Sequence, residues 1–297
     1  MTPPETAVPD HEIAFFRTGP DDVLLPQDMA RSLWSADQMH GVAVSAALGR
    51  SGERALHDLG RDDLVPARFT VDLFRPARMD PCRLRTSVVR ESARLCLVDV
   101  ALEQDGPDGP VLTARASLLA LKPSTTPPGE VWGPATGPEL PPLDVVPESD
   151  SPRVPFFWSE EAGWTQNFGQ HQNGGRKQAW QTIPTAVAGE LSSAFVAAAA
   201  VADSASMVTN WGSAGVEFIN TDITLSLARL PVSREIGLAA SDRVVHDGVA
   251  VGTVVLFDRQ GRLGSCTVTS LANAKRTVDF DDVTFTREGP KASPPGV

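Results

Sequence analysis

Cysteine and histidine are scarce in this chain, which has only three cysteines and five histidines among 297 residues. Cys82, Cys96 and Cys266 stand singly, without the spacing of a metal site, and no two histidines form a ligand pair. We therefore expect no metal and no cofactor. Isolated thiols, two of them in apolar strand patterns, indicate buried cysteines in a reducing compartment.

Basic clusters and long apolar runs are also missing. The net charge is −11 and lysine and arginine are scattered, so binding to a nucleic acid by counterion release is not expected. The longest apolar candidate runs from Phe195 to Val201, far short of the ~20 residues that span a bilayer. The polar, proline-rich beginning lacks the pattern of a signal peptide, and we expect a cytoplasmic protein.

Several catalytic signatures are absent as well. No G-x-S-x-G elbow occurs, which disfavours an α/β-hydrolase. The sequence contains no P-loop, and no G-x-G-x-x-G follows a strand pattern. Any chemistry must therefore come from another arrangement of residues.

An internal repeat is the most informative feature present. The stretch from Arg68 to Leu121 is weakly similar in sequence to the stretch from Val216 to Leu271, and Arg75 matches Arg229 at an offset of 154 residues. Each copy runs strand, Arg-Pro or Arg-Leu-Pro, two strands, an acidic turn ending in glycine, and a last strand. A repeat of this length indicates a duplicated domain.

A helical pattern precedes each copy. Residues Val42 to Leu59 have an apolar face of small residues, and Thr185 to Met207 is rich in alanine, a strong helix former. The region from Lys122 to Pro152 is dominated by proline and glycine and predicts a semi-extended linker.

One long helix followed by a curved antiparallel sheet, occurring twice, predicts an α+β fold of the double hotdog type with the two sheets joined edge to edge. The expected units are residues 12–122 and 154–274, connected by the linker 123–153. A pair of unrelated α+β domains is the alternative.

The second copy carries polar residues that suggest chemistry. Asp203 lies among alanines near the end of the second helix, where a partly desolvated carboxylate could act as a general base on water. Alternation predicts that Asn220 shares a polar strand face with Asp222 and Thr224 and could hold a water or a carbonyl. The alternatives are a solvent-facing helix end and a solvent-facing strand edge.

In the first copy, His40 and Gly41 stand just before the helix. Glycine at a helix start lets a ligand oxygen approach backbone N–H groups that favour negative charge, so the pair is a candidate substrate-binding site. A capping or packing role is the alternative for His40.

Over roughly residues 12–274, the chain resembles the type II acyl-CoA thioesterases of the double hotdog kind, particularly their actinobacterial relatives. The segments that carry the resemblance are His40–Gly41, Phe69–Pro76, Asp203, Phe218–Pro231 and Asp258–Gly264.

The resemblance implies a hydrolytic water held by three side chains: an Asp on the second helix, a Thr or Asn on the next strand, and a Gln on the last strand. These positions fall on Asp203, on Asn220 with Thr221 beside it, and on Val268. Valine cannot bond a water. Either Thr267 or Thr269 takes the role after a one-residue register change, or the third group is lost.

The implied function is hydrolysis of a fatty acyl-CoA thioester by an Asp-activated water. The alternative is a hotdog protein that binds acyl-CoA or another apolar ligand with little or no hydrolysis, because Val268 replaces the glutamine. A hydratase is a third possibility, since Asp37 and His40 are near each other. The expected partner is acyl-CoA, and association through the sheets would give a homodimer or a higher homo-oligomer.

Overall fold

A computed structural model describes residues 13–133, 137–273 and 277–280, and the backbone of residues 283–286 and 289–292. Residues 12 and 274, the outer limits of the two expected units, lie outside this part of the chain. The helices are α1 (Gly41–Asp58), α2 (Ala194–Ala202) and α3 (Ala205–Asn210), with short 3₁₀ turns at Pro20–Asp22, Asp28–Ala30 and Phe168–His171.

The strands form two antiparallel meanders, and several of the long strands alternate more buried and more exposed residues. The first unit contains β1 (Ala14–Thr18), β2 (Leu24–Pro26), β3 (Val65–Leu73), β4 (Cys82–Ser92), β5 (Leu95–Gly106) and β6 (Gly109–Leu121). The second unit contains β7 (Phe156–Ser159), β8 (Gly163–Thr165), β9 (Gln178–Gln181), β10 (Thr185–Val187), β11 (Trp211–Gly212), β12 (Gly215–Val216), β13 (Phe218–Asn220), β14 (Asp222–Leu227), β15 (Ile236–His246), β16 (Val249–Asp258) and β17 (Gly261–Ala272). Strands β18 (Val283–Thr286) and β19 (Gly289–Ala292) pair with each other.

The two units are joined where β3 pairs with β14, as the edge-to-edge prediction requires. This junction makes one 15-stranded sheet within the described part of the chain. Thr70 lies opposite Thr224, and the same two residues are equivalent under the 154-residue repeat. The pseudo-twofold axis of the duplication therefore passes between them.

A repeated hydrogen bond supports the duplication at the level of single atoms. The Arg78 N–H donates to Gln104 Oε1 at 2.8 Å in the first unit, and the Val232 N–H donates to Asp258 Oδ2 at 3.1 Å in the second. The donor and the acceptor of the second bond each lie 154 residues after those of the first. The carboxylate of Asp258 additionally takes a bidentate ion pair from Arg229, at 2.8 and 2.6 Å.

The helices lie inside the curve of the sheet and contact each other through small residues. A methyl group at Gly49 of α1 would lie 2.8 Å from the Ala199 Cβ of α2, which is closer than Cβ contacts allow. Every residue of α2 after Ala194 is buried, so the sheet packs tightly around a thin helix.

The predicted helix from Thr185 to Met207 is wrong at its beginning and in its middle. Thr185–Val187 is instead strand β10, which pairs in parallel with β1, and the helix starts only after the capping residue Ser193, whose side chain accepts from the Val196 N–H. The backbone N–H groups of Asp203 and Ser204 donate to carbonyl oxygens three residues earlier, instead of the four of an α-helix. This tighter turn separates α2 from α3.

The linker lacks regular structure over its described residues but is held against the second unit. Arg259 donates to the carbonyls of Pro141 and Val146, at 2.5 and 2.6 Å. Val146 is fully buried and packs in a cluster with Trp180 and Phe257.

Candidate active site

Asp203 lies at the break between α2 and α3, and its side chain points at the first turn of α1. A Cβ on Gly41 would overlap the Asp203 carboxylate, so only glycine permits this approach. The site is therefore assembled from both halves of the chain, with the acid from the second unit and the helix start from the first.

Two hydrogen bonds hold the carboxylate. Asn220 Nδ2 donates to Asp203 Oδ1 at 2.8 Å, and the backbone N–H of Val42 also donates to the carboxyl group. Burial raises the pKa of Asp203 to about 6, against the lowering effect of these two bonds. The residue as a whole is half-buried, and its carboxylate is a desolvated base.

A β-bulge turns Asn220 towards Asp203. Along β17, Asn220 lies opposite Ser270 but Thr224 lies opposite Thr267, which leaves one extra residue at Thr221. The bulge places Asn220 on the buried face that Ile223 also occupies. The expectation that Asn220 shares a face with Asp222 and Thr224 is therefore wrong.

Thr221 is held at the bulge itself. Its hydroxyl lies 3.2 Å from the Thr269 carbonyl oxygen and 3.1 Å from Asp222 Oδ1, both of which it can reach as a donor. The structure therefore does not bring the Thr221 hydroxyl to Asp203, although its neighbour Asn220 is there.

Val268 is fully buried on the inner face of β17, among apolar residues. The register between β16 and β17 is regular from Val249 to Leu256, so no one-residue slip occurs near it. Thr267 and Thr269 consequently lie on the opposite face, and the expectation that either replaces the glutamine by a register change is wrong.

Ser270 is the site residue that sequence reasoning missed. It is fully buried, it lies directly opposite Asn220, and its Oγ accepts a hydrogen bond from Asn210 Nδ2 at 3.2 Å. Directly opposed residues have Cβ atoms about 5 Å apart, so Ser270 borders the same space. Alternation along the last strand, which puts Ser270 and Val268 on one face, could have revealed it.

His40 caps α1 and is not free to contact a ligand through its ring nitrogens. Nδ1 accepts from the Ala43 N–H at 3.1 Å, and Nε2 lies 2.8 Å from the Met29 carbonyl, to which it must donate. Burial lowers the pKa of His40, in keeping with a neutral ring. Among the described residues, no acceptor meets the N–H of Gly41, which remains available at the helix start.

The first unit has the same bulge but none of these polar groups. Pro66 lies opposite Ala120 just before the register shift of β3, where the second unit has Asn220 opposite Ser270. Gly49 occupies the position equivalent to Asp203. The polar cluster therefore belongs to the second unit alone and is not required by the fold.

No group of three or more His, Cys, Asp or Glu residues in the described ranges could hold a metal ion. Over the same ranges, no helix is both long and apolar enough to cross a membrane.

The architecture defines a double hotdog protein, and comparisons with solved structures agree. A conserved protein with a hot dog fold from Alicyclobacillus acidocaldarius is 14% identical, with 88% of this chain and 97% of that chain covered and a TM-score of 0.57. A protein assigned as a thioesterase II from Thermobifida fusca YX is 18% identical, with 89% and 98% covered and a TM-score of 0.61. The acyl-CoA thioesterase II TesB2 of Mycobacterium marinum is 11% identical, with 89% and 97% covered and a TM-score of 0.56.

Two family models match in tandem. Residues 30–119 match the acyl-CoA thioesterase N-terminal domain, and residues 138–271 match the acyl-CoA thioesterase C-terminal domain. The chain belongs to the acyl-CoA thioesterase family. No curated protein gave a significant match.

Proposed function

We propose that this protein hydrolyses the thioester of a fatty acyl-CoA, with Asp203 as the general base. The observation that carries the proposal is the desolvated carboxylate of Asp203, with a pKa of about 6 and a hydrogen bond from Asn220. A base whose pKa lies near neutrality is ionised at pH 7 and still basic enough to take a proton from water in the transition state.

The proposed reaction is a direct hydrolysis. Asp203 takes one proton from a water whose oxygen forms a bond to the thioester carbonyl carbon, and the carbonyl oxygen becomes an oxyanion. When this intermediate collapses, the carbon–sulfur bond breaks, and the leaving CoA thiolate takes the proton held by Asp203, which restores the carboxylate. The products are a fatty acid and CoA.

The neighbouring groups have separate proposed roles. Asn220 orients the water without adding charge, and the free N–H of Gly41, at the positive end of α1, donates to the oxyanion. Ser270 supplies the third polar group in place of the glutamine that the family resemblance put at Val268. Thr221 acts on the site through the bulge that aims Asn220.

The test is thioester hydrolysis on a panel of acyl-CoAs of increasing chain length, with free CoA measured by a thiol reagent. Wild type should release CoA well above background, and Asp203→Asn should lose at least 99% of that rate. Asp105→Asn is the matched control, because Asp105 is an exposed carboxylate on the first unit's turn. Full activity in Asp203→Asn would overturn the role of this carboxylate.

Ligand binding without efficient hydrolysis is the second candidate. It is favoured by the apolar surroundings of Val268, where no hydrogen bond can reach a water. The same panel of acyl-CoAs distinguishes a hydrolase from a binding protein. A binding protein would retain acyl-CoA in equilibrium dialysis and would release no CoA. The three cysteines are free, buried thiols, which supports the proposed cytoplasmic location.

A further inference from the structure

The Ser270 hydroxyl oxygen accepts one hydrogen bond, and its own proton has no acceptor among the described residues. Asn210 donates to Ser270 Oγ at 3.2 Å and is the one hydrogen-bond partner of that oxygen among the described residues. Ser270 is fully buried and Asn210 is 7% exposed. A buried donor without an acceptor is costly, so the proton needs a partner in the space beside Asn220.

Arg243 fixes which way the Asn210 amide points. Its Nε–H donates to Asn210 Oδ1 at 3.1 Å, so the amide NH₂ must face Ser270. The guanidinium also lies over the ring of Phe218, 5.0 Å from the ring centroid, which restricts the long side chain. Arg243, Asn210 and Ser270 thus form a directed chain of hydrogen bonds that ends at the site.

A second bulge aims Arg243 at Asn210. In β15 the pairing with β16 shifts at Ser241, whose hydroxyl donates to the Thr253 carbonyl at 2.9 Å. After the shift Arg243 lies opposite Gly252, where a Cβ would overlap Thr209 of α3. This face of the strand is therefore the one that α3 covers, and the bulge is what puts Arg243 on it.

The first unit shows that the fold does not need this series of hydrogen bonds. Leu56 occupies the position equivalent to Asn210 under the 154-residue repeat, and Ala120 occupies the place of Ser270 opposite Pro66. Apolar residues fill the same positions of the same architecture without a polar network. A structural role alone does not account for three linked polar side chains in the second unit.

We propose that Asn210 and Arg243 are positioning residues that hold Ser270 with its proton directed to the hydrolytic water beside Asn220 and Asp203. This inference rests on the proposed thioester hydrolysis. Arg243 orients the amide, the amide donates to the hydroxyl oxygen, and the hydroxyl donates to the water.

The decisive variant is Asn210→Asp, which keeps the shape and the bond from Arg243 but replaces the donor with an acceptor. The Ser270 proton then turns to the new carboxylate and away from the water. Steady-state hydrolysis of one acyl-CoA should show kcat reduced about tenfold or more in Asn210→Asp and in Ser270→Ala, with KM within twofold of wild type. Arg243→Gln, which frees the amide to rotate, should give a smaller loss of kcat.

A double-mutant cycle separates positioning from a general structural effect. The variant carrying Ser270→Ala together with Asn210→Asp should be no slower than Ser270→Ala alone, because the orienting residue then has nothing to orient. Controls are Ser226→Ala, an exposed serine on β14, and Arg83→Gln, an exposed arginine of the first unit. Thermal unfolding of each variant verifies that it is folded.

The outcomes distinguish this inference from the proposed function. If Asp203→Asn abolishes hydrolysis but Asn210→Asp and Ser270→Ala stay within twofold of wild type, the positioning role is overturned and the function stands. Additive losses in the double variant likewise overturn it. If wild type does not hydrolyse any acyl-CoA, the proposed function and the positioning role are both overturned.

Discussion

Replacement of Asp203 by Asn should make the protein inactive and more stable at the same time. Asn keeps an oxygen that can accept the hydrogen bond from Asn220, but it cannot ionise or take a proton. The two effects have one cause, since the desolvation that makes the carboxylate a useful base also opposes folding of the charged protein.

The size of the stability effect follows from the pKa. The increase in the pKa of Asp203 from 3.8 to about 6 corresponds to a change of roughly 3 kcal/mol in the free energy of unfolding, at about 1.4 kcal/mol per pH unit. The sign is destabilising at neutral pH, because the folded state binds the proton more tightly than the unfolded state between these two values. For a chain of this size, roughly 3 kcal/mol raises Tm by about 5–10 °C.

Thermal unfolding at pH 7.5 and at pH 5, together with acyl-CoA hydrolysis, measures both effects. The Tm advantage of Asp203→Asn should fall by about half at pH 5, because part of the penalty in the wild type has already gone. kcat at pH 7.5 should drop by about 10²–10⁴. A Tm that is unchanged or lower at both pH values would refute the argument that this carboxylate is desolvated.

Three further predictions follow from the same structure. In wild type, kcat/KM should fall about tenfold per pH unit below pH ~6, because protonation of Asp203 removes the base, and a profile flat down to pH 5 would contradict the pKa of about 6. Gly41→Ala should lower kcat more than tenfold, since the added methyl displaces the Asp203 carboxylate from the Val42 N–H, whereas Gly129→Ala, in open space, serves as the unaffected control. Asp258→Ala should destabilise the protein by about 2–4 kcal/mol in urea unfolding, because it removes the bidentate ion pair with Arg229 and the acceptor of the Val232 N–H. An exposed pair such as Arg83–Asp105 contributes less than ~1 kcal/mol, and a loss that small in Asp258→Ala would show that the buried pair is dispensable.

Much of the fold was predictable because it depends on local periodicity and on the repeat. The helix predicted from Val42 to Leu59 is observed at Gly41–Asp58, and the edge-to-edge junction follows from duplicating a sheet with one free edge. The error at Thr185–Val187 arose because alanine-rich sequence continues the helical pattern, while pairing with β1 is a long-range contact that no local pattern reveals.

The sequence by itself determined the duplication, the family resemblance and Asp203 as a candidate base. Only the tertiary structure decided how the side chains around Asp203 are aimed, because a bulge at Thr221 turns Asn220 towards Asp203 and a bulge at Ser241 turns Arg243 towards Asn210. A single extra residue in a strand inverts every later side chain, and its position depends on pairing with a neighbour far along the chain. The contact of Asp203 with Gly41 from the other unit and its hydrogen bond with Asn220 therefore depend on packing and not on local sequence.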